Sequence, residues 1–246
     1  MRAIIAKQLG PPKDLVIEDI DSLVPGPGQV VVDNKAAAIN FPDLLVMEGK
    51  YQVRPPLPFS PGKEGAGIVK SVGEGVDRLT VGDRVMVQVE YGTYAQEVRA
   101  EDSQCYPVPD DVSFEEAAAI GIAYQTAHFA LVARAHLKEG DQVFVTGASG
   151  SVGLAAMQLA KAWGCEVIAH AGAAEFAAAF GENGLVPDVI VADFHLDGAT
   201  GFEAISSVYE QLGRHVPAIM LTANRSDEVK AAAEERQPTL LDQLQQ

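Results

Sequence analysis

A glycine-rich turn at residues 147–153, GASGSVG, is the stretch of this chain whose composition and spacing most directly indicate chemistry. An apolar, β-branched run at 143–145 precedes it, and a helical pattern at 154–163 follows it. Glycines let a backbone turn sharply and approach a diphosphate, and a helix N-terminus offers free N–H groups to an anion. With a second apolar run at 166–169, the pattern predicts a dinucleotide-binding βαβ unit; the alternative is a turn that binds nothing. The residues expected at the diphosphate are Gly147, Ala148, Ser149, Gly150, Val152 and Gly153.

Composition excludes several classes of partner. The chain has 246 residues, 48% of them hydrophobic, and a formal net charge of −16. So acidic a chain is not expected to bind nucleic acid or an anionic membrane surface. Its two cysteines, Cys105 and Cys165, indicate neither a disulfide framework nor a metal cluster, and no apolar run is long enough to span a bilayer. We therefore expect a cytoplasmic protein, and a homodimer is left open.

The elements that must position the turn differ between the two halves of the chain. Residues 1–101 contain short apolar or alternating runs separated by Gly and Pro, a pattern typical of a small barrel or sandwich. One helix is predicted there, at 40–48. Ser113 is the predicted N-cap of a helix that ends at Ile120, and a second helix is predicted at 123–135. The predicted strands cover residues 3–6, 15–19, 29–38, 67–72, 83–89 and 94–99.

Ordered blocks in the first two thirds of the chain resemble one enzyme family. The blocks are 40–43 (NFPD), 61–67 (PGKEGAG), 72–76 (VGEGV), 81–85 (VGDRV) and 147–153 (GASGSVG). In this order they resemble the medium-chain dehydrogenase/reductase superfamily, and most closely its zinc-free NADPH:quinone oxidoreductase branch. The resemblance covers residues 1 to about 164. It implies a GroES-like β-barrel domain followed by a Rossmann domain.

The same resemblance implies hydride transfer from NADPH to a quinone or an α,β-unsaturated carbonyl compound. It implies that Asn40 and Tyr51 are catalytic residues lining the nicotinamide cleft, and that Thr126 contacts the cofactor. Without the resemblance, Asn40 would be interpreted as a helix cap, Tyr51 as an aromatic residue beside a Pro-rich loop, and Thr126 as an ordinary helix residue. Tyr91 and Tyr94 are candidates to flank the cleft, with packing at a sheet edge as the alternative.

Two departures from the family pattern concern ligands. Zinc-dependent relatives use a Cys near the position of Asn40 and a His where this chain has Lys63, so no zinc is expected. Relatives that bind NADPH usually hold its 2′-phosphate with a Ser and a Lys or Arg just beyond the second Rossmann strand. Residues 170–176 contain no Lys or Arg, and His170 is the one candidate there. Weak NADPH binding is therefore expected.

From about residue 163 to residue 237 the chain resembles a different family, the bacterial response-regulator receiver domain. The blocks that carry this resemblance are 187–193 (PDVIVAD), 196–198 (LDG), 201–202 (GF) and 217–223 (PAIMLTA). The resemblance implies that Asp193 is a phospho-acceptor candidate and Thr222 its partner hydroxyl. The acidic pair that holds Mg²⁺ in receivers and their lysine have no counterpart here, so Asp193 is expected not to hold a phosphoryl group.

We interpret the chain as a chimera of these two families that folds into two domains. Residues 1–122 are expected to form the GroES-like barrel domain, and residues 123–246 a parallel α/β sheet in which half a Rossmann unit is joined to receiver- or flavodoxin-like units. Both parents look truncated, which is expected to impair activity. A helix is predicted at 227–237 and a short amphipathic tail at 239–246. The alternatives to a quinone oxidoreductase are a receiver-like phosphorelay module and a folded hybrid with neither activity.

The receiver resemblance also predicts the order of the strands. In a Rossmann half the third strand lies beyond the second, whereas in a receiver it crosses to the far side of the first. The predicted spatial order is 166–169, 143–146, 189–192, 218–222, with a helix at 175–180. This order places the carboxylate of Asp193 beside the glycine-rich turn, where it is expected to repel a diphosphate.

Overall fold

The computed structural model of the chain describes residues 1–170, 186–196, 199–222, 227–236 and 238–242. They divide into two units, Met1–Ile122 and Ala123–Gln246. The helix predicted at residues 175–180 lies outside the described residues. None of the helices in the described ranges combines the length and hydropathy needed to cross a bilayer.

The first unit is built mainly from short strands. They are β1 (Arg2–Ile5), β2 (Val16–Asp19), β3 (Gln29–Ala37), β4 (Glu64–Val72), β5 (Arg84–Gln88), β6 (Glu97–Glu101) and β7 (Cys105–Pro107). Helix α1 covers Phe41–Met47, and 3₁₀ turns cover Pro12–Asp14 and Asp102–Gln104. Helix α2 (Phe114–His128) begins in this unit and continues as a π-helical turn, Phe129–Arg134.

An antiparallel sheet with the strand order β6-β3-β4-β5-β7 forms the centre of the first unit, and β1 pairs with β2 separately. Valines at alternate positions of these strands, such as Val30 and Val32 of β3 and Val85 and Val87 of β5, pack into one core. The backbones of β3 and β4 approach closely at Gly67, where a Cβ atom would lie 2.1 Å from the carbonyl oxygen of Asp33. Only glycine fits this crossing without moving a strand.

The second unit alternates strands and helices. In chain order it contains β8 (Gln142–Thr146), α3 (Ser151–Ala162), β9 (Glu166–His170), β10 (Val189–Asp193), β11 (His195–Leu196), β12 (Ala199–Thr200), α4 (Gly201–Leu212), β13 (Ala218–Thr222), α5 (Asp227–Arg236) and β14 (Thr239–Asp242). A parallel sheet with the order β14-β13-β10-β8-β9 forms its centre, and β11 and β12 make a separate antiparallel pair.

Both faces of the parallel sheet are covered, which explains why its strands are apolar at nearly every position. Val143, Val145 and Val191 belong to a core that includes apolar residues of α2 and α3. Phe144 and Ile190, which alternate with them along β8 and β10, belong to a second core that includes apolar residues of α4 and α5. The period of two along each strand therefore separates two apolar cores, one on each face.

The predicted order of the four strands is confirmed. Strand β10 pairs with β8 rather than with β9, and Val189 lies opposite Val143 while Val191 lies opposite Val145. Strand β13 pairs with the other edge of β10. This is the order in which the third strand of the unit crosses to the far side of the first.

Two predictions about elements were wrong. The helices expected on either side of residues 121–122 form one helix, α2, which runs through Gly121, where the absence of a side chain leaves room for the carboxylate of Glu64. The expected tail at 239–246 contains a strand, β14, which pairs with β13. Four residues are too few for their pattern to distinguish a strand from a tail, so pairing decides. Strand β7 was not predicted, and it forms by pairing with β5.

Candidate functional site

The glycine-rich turn joins β8 to α3 in the second unit. Gly147 has a φ of 65°, a left-handed conformation that favours glycine. Its carbonyl oxygen accepts a hydrogen bond from the amide of Gly150 at 2.9 Å. A Cβ atom at Gly153 would lie 2.3 Å from the same oxygen, so the absence of a side chain lets the first turn of α3 pack on the loop.

Several donors of this turn could hold an anion. The first amides of a helix have no acceptor within the helix, and α3 begins at Ser151. Ser149 and Gly150 are exposed, whereas Ala148 and Val152 are buried. The hydroxyl of Thr146, at the end of β8, is buried and has no hydrogen-bond partner among the described residues. The combination fits a phosphate or diphosphate group.

A second group of functional side chains lies within the first unit. We call it the buried polar cluster, and it consists of Asn40, Asp43, Lys63, Glu64 and Tyr94. Asp43, Lys63 and Glu64 are each no more than 2% exposed. Charged residues are almost never so deeply buried unless they are paired or hydrogen-bonded. Here Asp43 and Glu64 accept hydrogen bonds, and Lys63 forms an ion pair with Glu90.

Glu64, the first residue of β4, binds two donors at once. Its Oε1 accepts a hydrogen bond from the side-chain amide of Asn40 at 2.7 Å, and its Oε2 accepts one from the main-chain amide of Ile122 at 2.6 Å. A Cβ atom at Gly121 would lie 2.5 Å from Oε2, so a larger residue there would displace the carboxylate. Burial raises the pKa of Glu64 and the charge of Asp43 raises it further, whereas the two hydrogen bonds lower it.

Asp43 fixes the start of α1. Its Oδ2 accepts hydrogen bonds from the main-chain amide of Asn40 at 2.8 Å and from the hydroxyl of Tyr94 at 2.7 Å. Burial raises the pKa of Asp43, and the hydrogen bonds and the charge of Lys63 oppose this rise. Burial also raises the pKa of Tyr94, and Asp43 and Glu64 add to the effect, so Tyr94 is a neutral donor.

Lys63 links Tyr51 to this cluster. Its ammonium lies 2.5 Å from Oε2 of Glu90 and 4.8 Å from the centre of the Tyr51 ring, a cation–π contact. Asn40 contacts Glu64 and Tyr51 contacts Lys63. Because Lys63 and Glu64 are adjacent at the start of β4, Asn40 and Tyr51 lie beside neighbouring residues. Tyr94 belongs to the cluster, whereas the Tyr91 ring makes an edge contact with Phe59 at 5.9 Å.

The remaining predicted site residues lie in the second unit. Thr126 is 7% exposed, on α2. His170 ends β9, and its side chain lies outside the described residues. Asp193 ends β10, and Thr222 is a buried residue at the end of β13. Asp193 and Thr222 therefore lie at the carboxyl ends of neighbouring strands, the edge at which open α/β sheets bind ligands.

Within the described ranges there is no group of three or more His, Cys, Asp or Glu residues placed to hold a metal ion. Cys105 and Cys165 are both buried, and burial raises the pKa of the Cys105 thiol to about 12. A thiol with so high a pKa is protonated at neutral pH and is therefore a poor nucleophile.

Sequence reasoning missed most of the buried polar cluster. It named Asn40 and Tyr94, and it considered Lys63 only as a replacement for a zinc ligand. Asp43 and Glu64 received no role. The available signal was the pair of opposite charges within the glycine-rich block PGKEGAG, which leads directly into a buried strand. Charged residues at the start of such a strand must find partners.

Comparisons with known proteins identify the family. Residues 26–110 match the alcohol dehydrogenase GroES-like domain. A probable oxidoreductase from Mycobacterium abscessus, of known structure, superposes with a TM-score of 0.79 and 32% identity over 98% of this chain and 79% of its own. This chain belongs to the medium-chain dehydrogenase/reductase superfamily. The fold is thus confirmed as a GroES-like domain and a parallel α/β sheet, while a separate receiver origin stays a prediction.

More specific relatives are also similar. The quinone oxidoreductase of Rattus norvegicus is 40% identical over 178 residues, 71% of this chain and 54% of the relative. The synaptic vesicle membrane protein VAT-1 homolog of the same organism is 45% identical over 137 residues, 56% of this chain and 34% of the relative. A mycobacterial protein solved in complex with NADPH has a TM-score of 0.79 and 28% identity, over 98% of this chain and 81% of its own. The chain spans about half of the length of the quinone oxidoreductase and about a third of the length of the VAT-1 homolog.

Replacing Tyr94 with Phe should destabilise the protein in a pH-dependent manner. The substitution removes a donor from a buried carboxylate, which costs about 1.5–3 kcal/mol in the free energy of unfolding at pH 7. The pKa of Asp43 is raised in the folded state, so ionisation of Asp43 opposes folding as pH rises above its ordinary value of 3.8. Loss of the Tyr94 hydroxyl raises the pKa of Asp43 further, because the hydroxyl stabilises the ionised carboxylate. The loss of stability caused by Tyr94→Phe should therefore shrink towards pH 4, where Asp43 of the folded protein takes up a proton. Urea unfolding at several pH values measures it.

The matched control is Tyr106→Phe, because Tyr106 is an exposed tyrosine on β7. We expect this change to stay within about 0.5 kcal/mol at every pH. Equal effects of the two substitutions at pH 7 would contradict the assignment of Tyr94 as a donor to Asp43.

Proposed function

We propose that this chain is a zinc-independent oxidoreductase that binds NADPH and transfers hydride to a quinone or an α,β-unsaturated carbonyl compound. The observation that carries the proposal is the glycine-rich turn between β8 and α3, which has the backbone shape and the free donors that a dinucleotide needs. Similarity to quinone oxidoreductase supports the substrate class, and similarity to the mycobacterial protein complexed with NADPH supports the cofactor.

The residues of the turn fit the diphosphate of this cofactor. A Cβ atom at Gly150 would lie only 3.3 Å from the carbonyl of Gly147, so the loop is compact at this point. The buried hydroxyl of Thr146 is a further donor in need of a partner. In this proposal residues 147–150 and the first turn of α3 hold the diphosphate, and Thr126 and His170 make further contacts with the cofactor.

The buried polar cluster would orient the acceptor, while a bound nicotinamide would supply the hydride. An asparagine amide has two N–H donors, and Glu64 accepts one from Asn40. We propose that the other donates to the carbonyl oxygen of the acceptor, where negative charge develops as hydride arrives. Glu64 and Asp43 hold Asn40 by its side chain and its main chain, so Asn40 is oriented before the acceptor binds.

Lys63 supports a mechanism without zinc. It stands where zinc-dependent relatives have a histidine ligand, and its buried ammonium is already paired with Glu90. A fixed positive charge at this position opposes the binding of a metal cation. The carbonyl group would then be polarised by hydrogen bonds rather than by a metal.

Affinity for the cofactor should respond to charge near the turn. Asp193 is next to Leu221 on one side, and Val191 pairs with Val145 two residues before the turn, so Asp193 lies level with Gly147. We propose that its carboxylate weakens the binding of NADPH.

Two substitutions of opposite sign test this proposal by titration of NADPH fluorescence. Ser149→Asp adds a carboxylate to the exposed part of the turn and should weaken binding by about tenfold or more, whereas Asp193→Asn should tighten it several-fold. Ser103→Asp is the control, because Ser103 is an exposed residue of the 3₁₀ turn in the first unit. No binding at millimolar NADPH by the folded protein would overturn the proposed cofactor, and an unchanged affinity of Asp193→Asn would overturn the role of Asp193.

Turnover tests the proposed reaction itself. Consumption of NADPH with p-benzoquinone should continue after dialysis against a metal chelator. Asn40→Ala should lower kcat/KM by about tenfold to a hundredfold, as expected for loss of one donor to a developing oxyanion, while the Kd of NADPH stays unchanged. Complete loss of activity with the chelator, restored by zinc, would refute the zinc-independent mechanism. An equal loss of NADPH affinity would show that Asn40 acts through binding.

The strand order supports a second candidate, a receiver-like phosphorelay module of hybrid origin. Asp193 ends β10, next to β13 and its terminal Thr222, as the receiver resemblance implies. In the part of the chain that the structure describes, Asp193 does not belong to a group of three or more His, Cys, Asp or Glu residues that could hold Mg²⁺. We therefore expect beryllofluoride with Mg²⁺ to leave the NMR spectrum unchanged. A saturable change that Asp193→Ala abolishes would favour this candidate, and inactivity in both assays would favour a folded hybrid without either function.

A further inference from the structure

A cavity of about 480 Å³ lies within the first unit. This volume is typical of sites that hold a small organic molecule. Ile5, Phe59, Val89 and Val98 contribute apolar surface to its wall. Tyr91 also lines it, and its ring meets Phe59 edge to face at 5.9 Å. The wall therefore suits a compact apolar or aromatic body.

Two carboxylates line the cavity, and each is already neutralised by a lysine. Glu90 pairs with the buried ammonium of Lys63 at 2.5 Å. Glu97 pairs with Lys70 at 2.6 Å and accepts further hydrogen bonds from the hydroxyl of Ser22 and the amide of Leu23. Burial alone would raise the pKa of Glu97, but these donors lower it. Neither carboxylate therefore needs a cationic ligand to compensate its charge.

Arg99, the third charged side chain of the wall, is different. It projects from β6 and is exposed. Its guanidinium makes no hydrogen bond or ion pair with any other residue in the described ranges. The hydroxyl of Ser60, which also lines the cavity, is buried and lacks a hydrogen-bond partner within the same ranges. A buried hydroxyl without a partner usually indicates a missing ligand or water.

We propose that this cavity is a binding site for a small apolar anion, an aryl or medium-chain carboxylate. The ring or alkyl chain packs against the apolar wall with Phe59 and Tyr91, and the carboxylate accepts hydrogen bonds from Arg99. Arginine presents paired N–H donors that match a carboxylate. The site is separate from the proposed hydride transfer, since it uses neither the glycine-rich turn nor Asn40.

Calorimetric titration of the full chain with 1-naphthoate and with 1-naphthalenemethanol tests the proposal. The two probes share one ring system and differ in charge. We expect 1-naphthoate to bind once per chain and Arg99→Gln to weaken it by about tenfold. The same substitution, Arg99→Gln, should change the affinity for the neutral 1-naphthalenemethanol by less than twofold. Arg214→Gln, at an exposed position of the second unit, removes the same charge away from the cavity and should leave both affinities unchanged.

Arg99→Lys and a spectroscopic measurement make the test independent of folding. Lysine keeps the charge but loses the paired donors, so it should restore part of the affinity lost in Arg99→Gln. In wild-type protein, 1-naphthoate should shift the side-chain Nε resonance of Arg99. The proposal is overturned if 1-naphthoate does not bind at millimolar concentration, if both probes bind equally well, or if Arg99→Gln binds 1-naphthoate like the wild type.

Discussion

The first unit depends on the carboxylate of Glu64 and the two donors that it accepts. One oxygen binds the side chain of Asn40 and the other binds the main chain of Ile122. One side chain thus joins the residue before α1, the first residue of β4 and the middle of α2. A buried carboxylate left without a partner costs several kcal/mol, so each of these positions is constrained by the others. Gly121 belongs to the same constraint, because a side chain there would collide with Oε2.

Charge is balanced locally inside the first unit, although the chain as a whole is strongly acidic. Asp43 meets Tyr94 and a main-chain amide, and Lys63 meets Glu90 and the Tyr51 ring. Because Oδ2 of Asp43 and the ammonium of Lys63 have partners before any ligand arrives, the orientation of these two side chains does not have to change when a reaction begins. The same balance leaves Arg99 as the charged side chain of the cavity wall that lacks a partner within the described ranges.

The second unit places its functional groups by a different principle, through backbone geometry at the carboxyl edge of a parallel sheet. The glycine-rich turn follows β8, and Asp193 and Thr222 end the next two strands of the same sheet. Which groups become neighbours is decided by strand order rather than by order along the chain. The crossing of β10 to the far side of β8 brings a carboxylate level with the turn, and this distinguishes the sheet from a Rossmann half with its third strand beyond the second.

Local pattern alone determined most of the strands of both units, though not β7 or β14, and it determined the start of α1 at Asn40 and the glycine-rich turn, since each depends on neighbours within a few residues. Resemblance to known families supplied the superfamily and the order of four strands. Sequence could not predict the uninterrupted α2, the strand β14 or the buried polar cluster. Asn40, Glu64, Tyr94 and Ile122 are separated by tens of residues, and their hydrogen bonds exist only once β4, α1 and α2 have packed. Only tertiary structure decides such contacts, because burial is what makes a charged side chain require one particular donor.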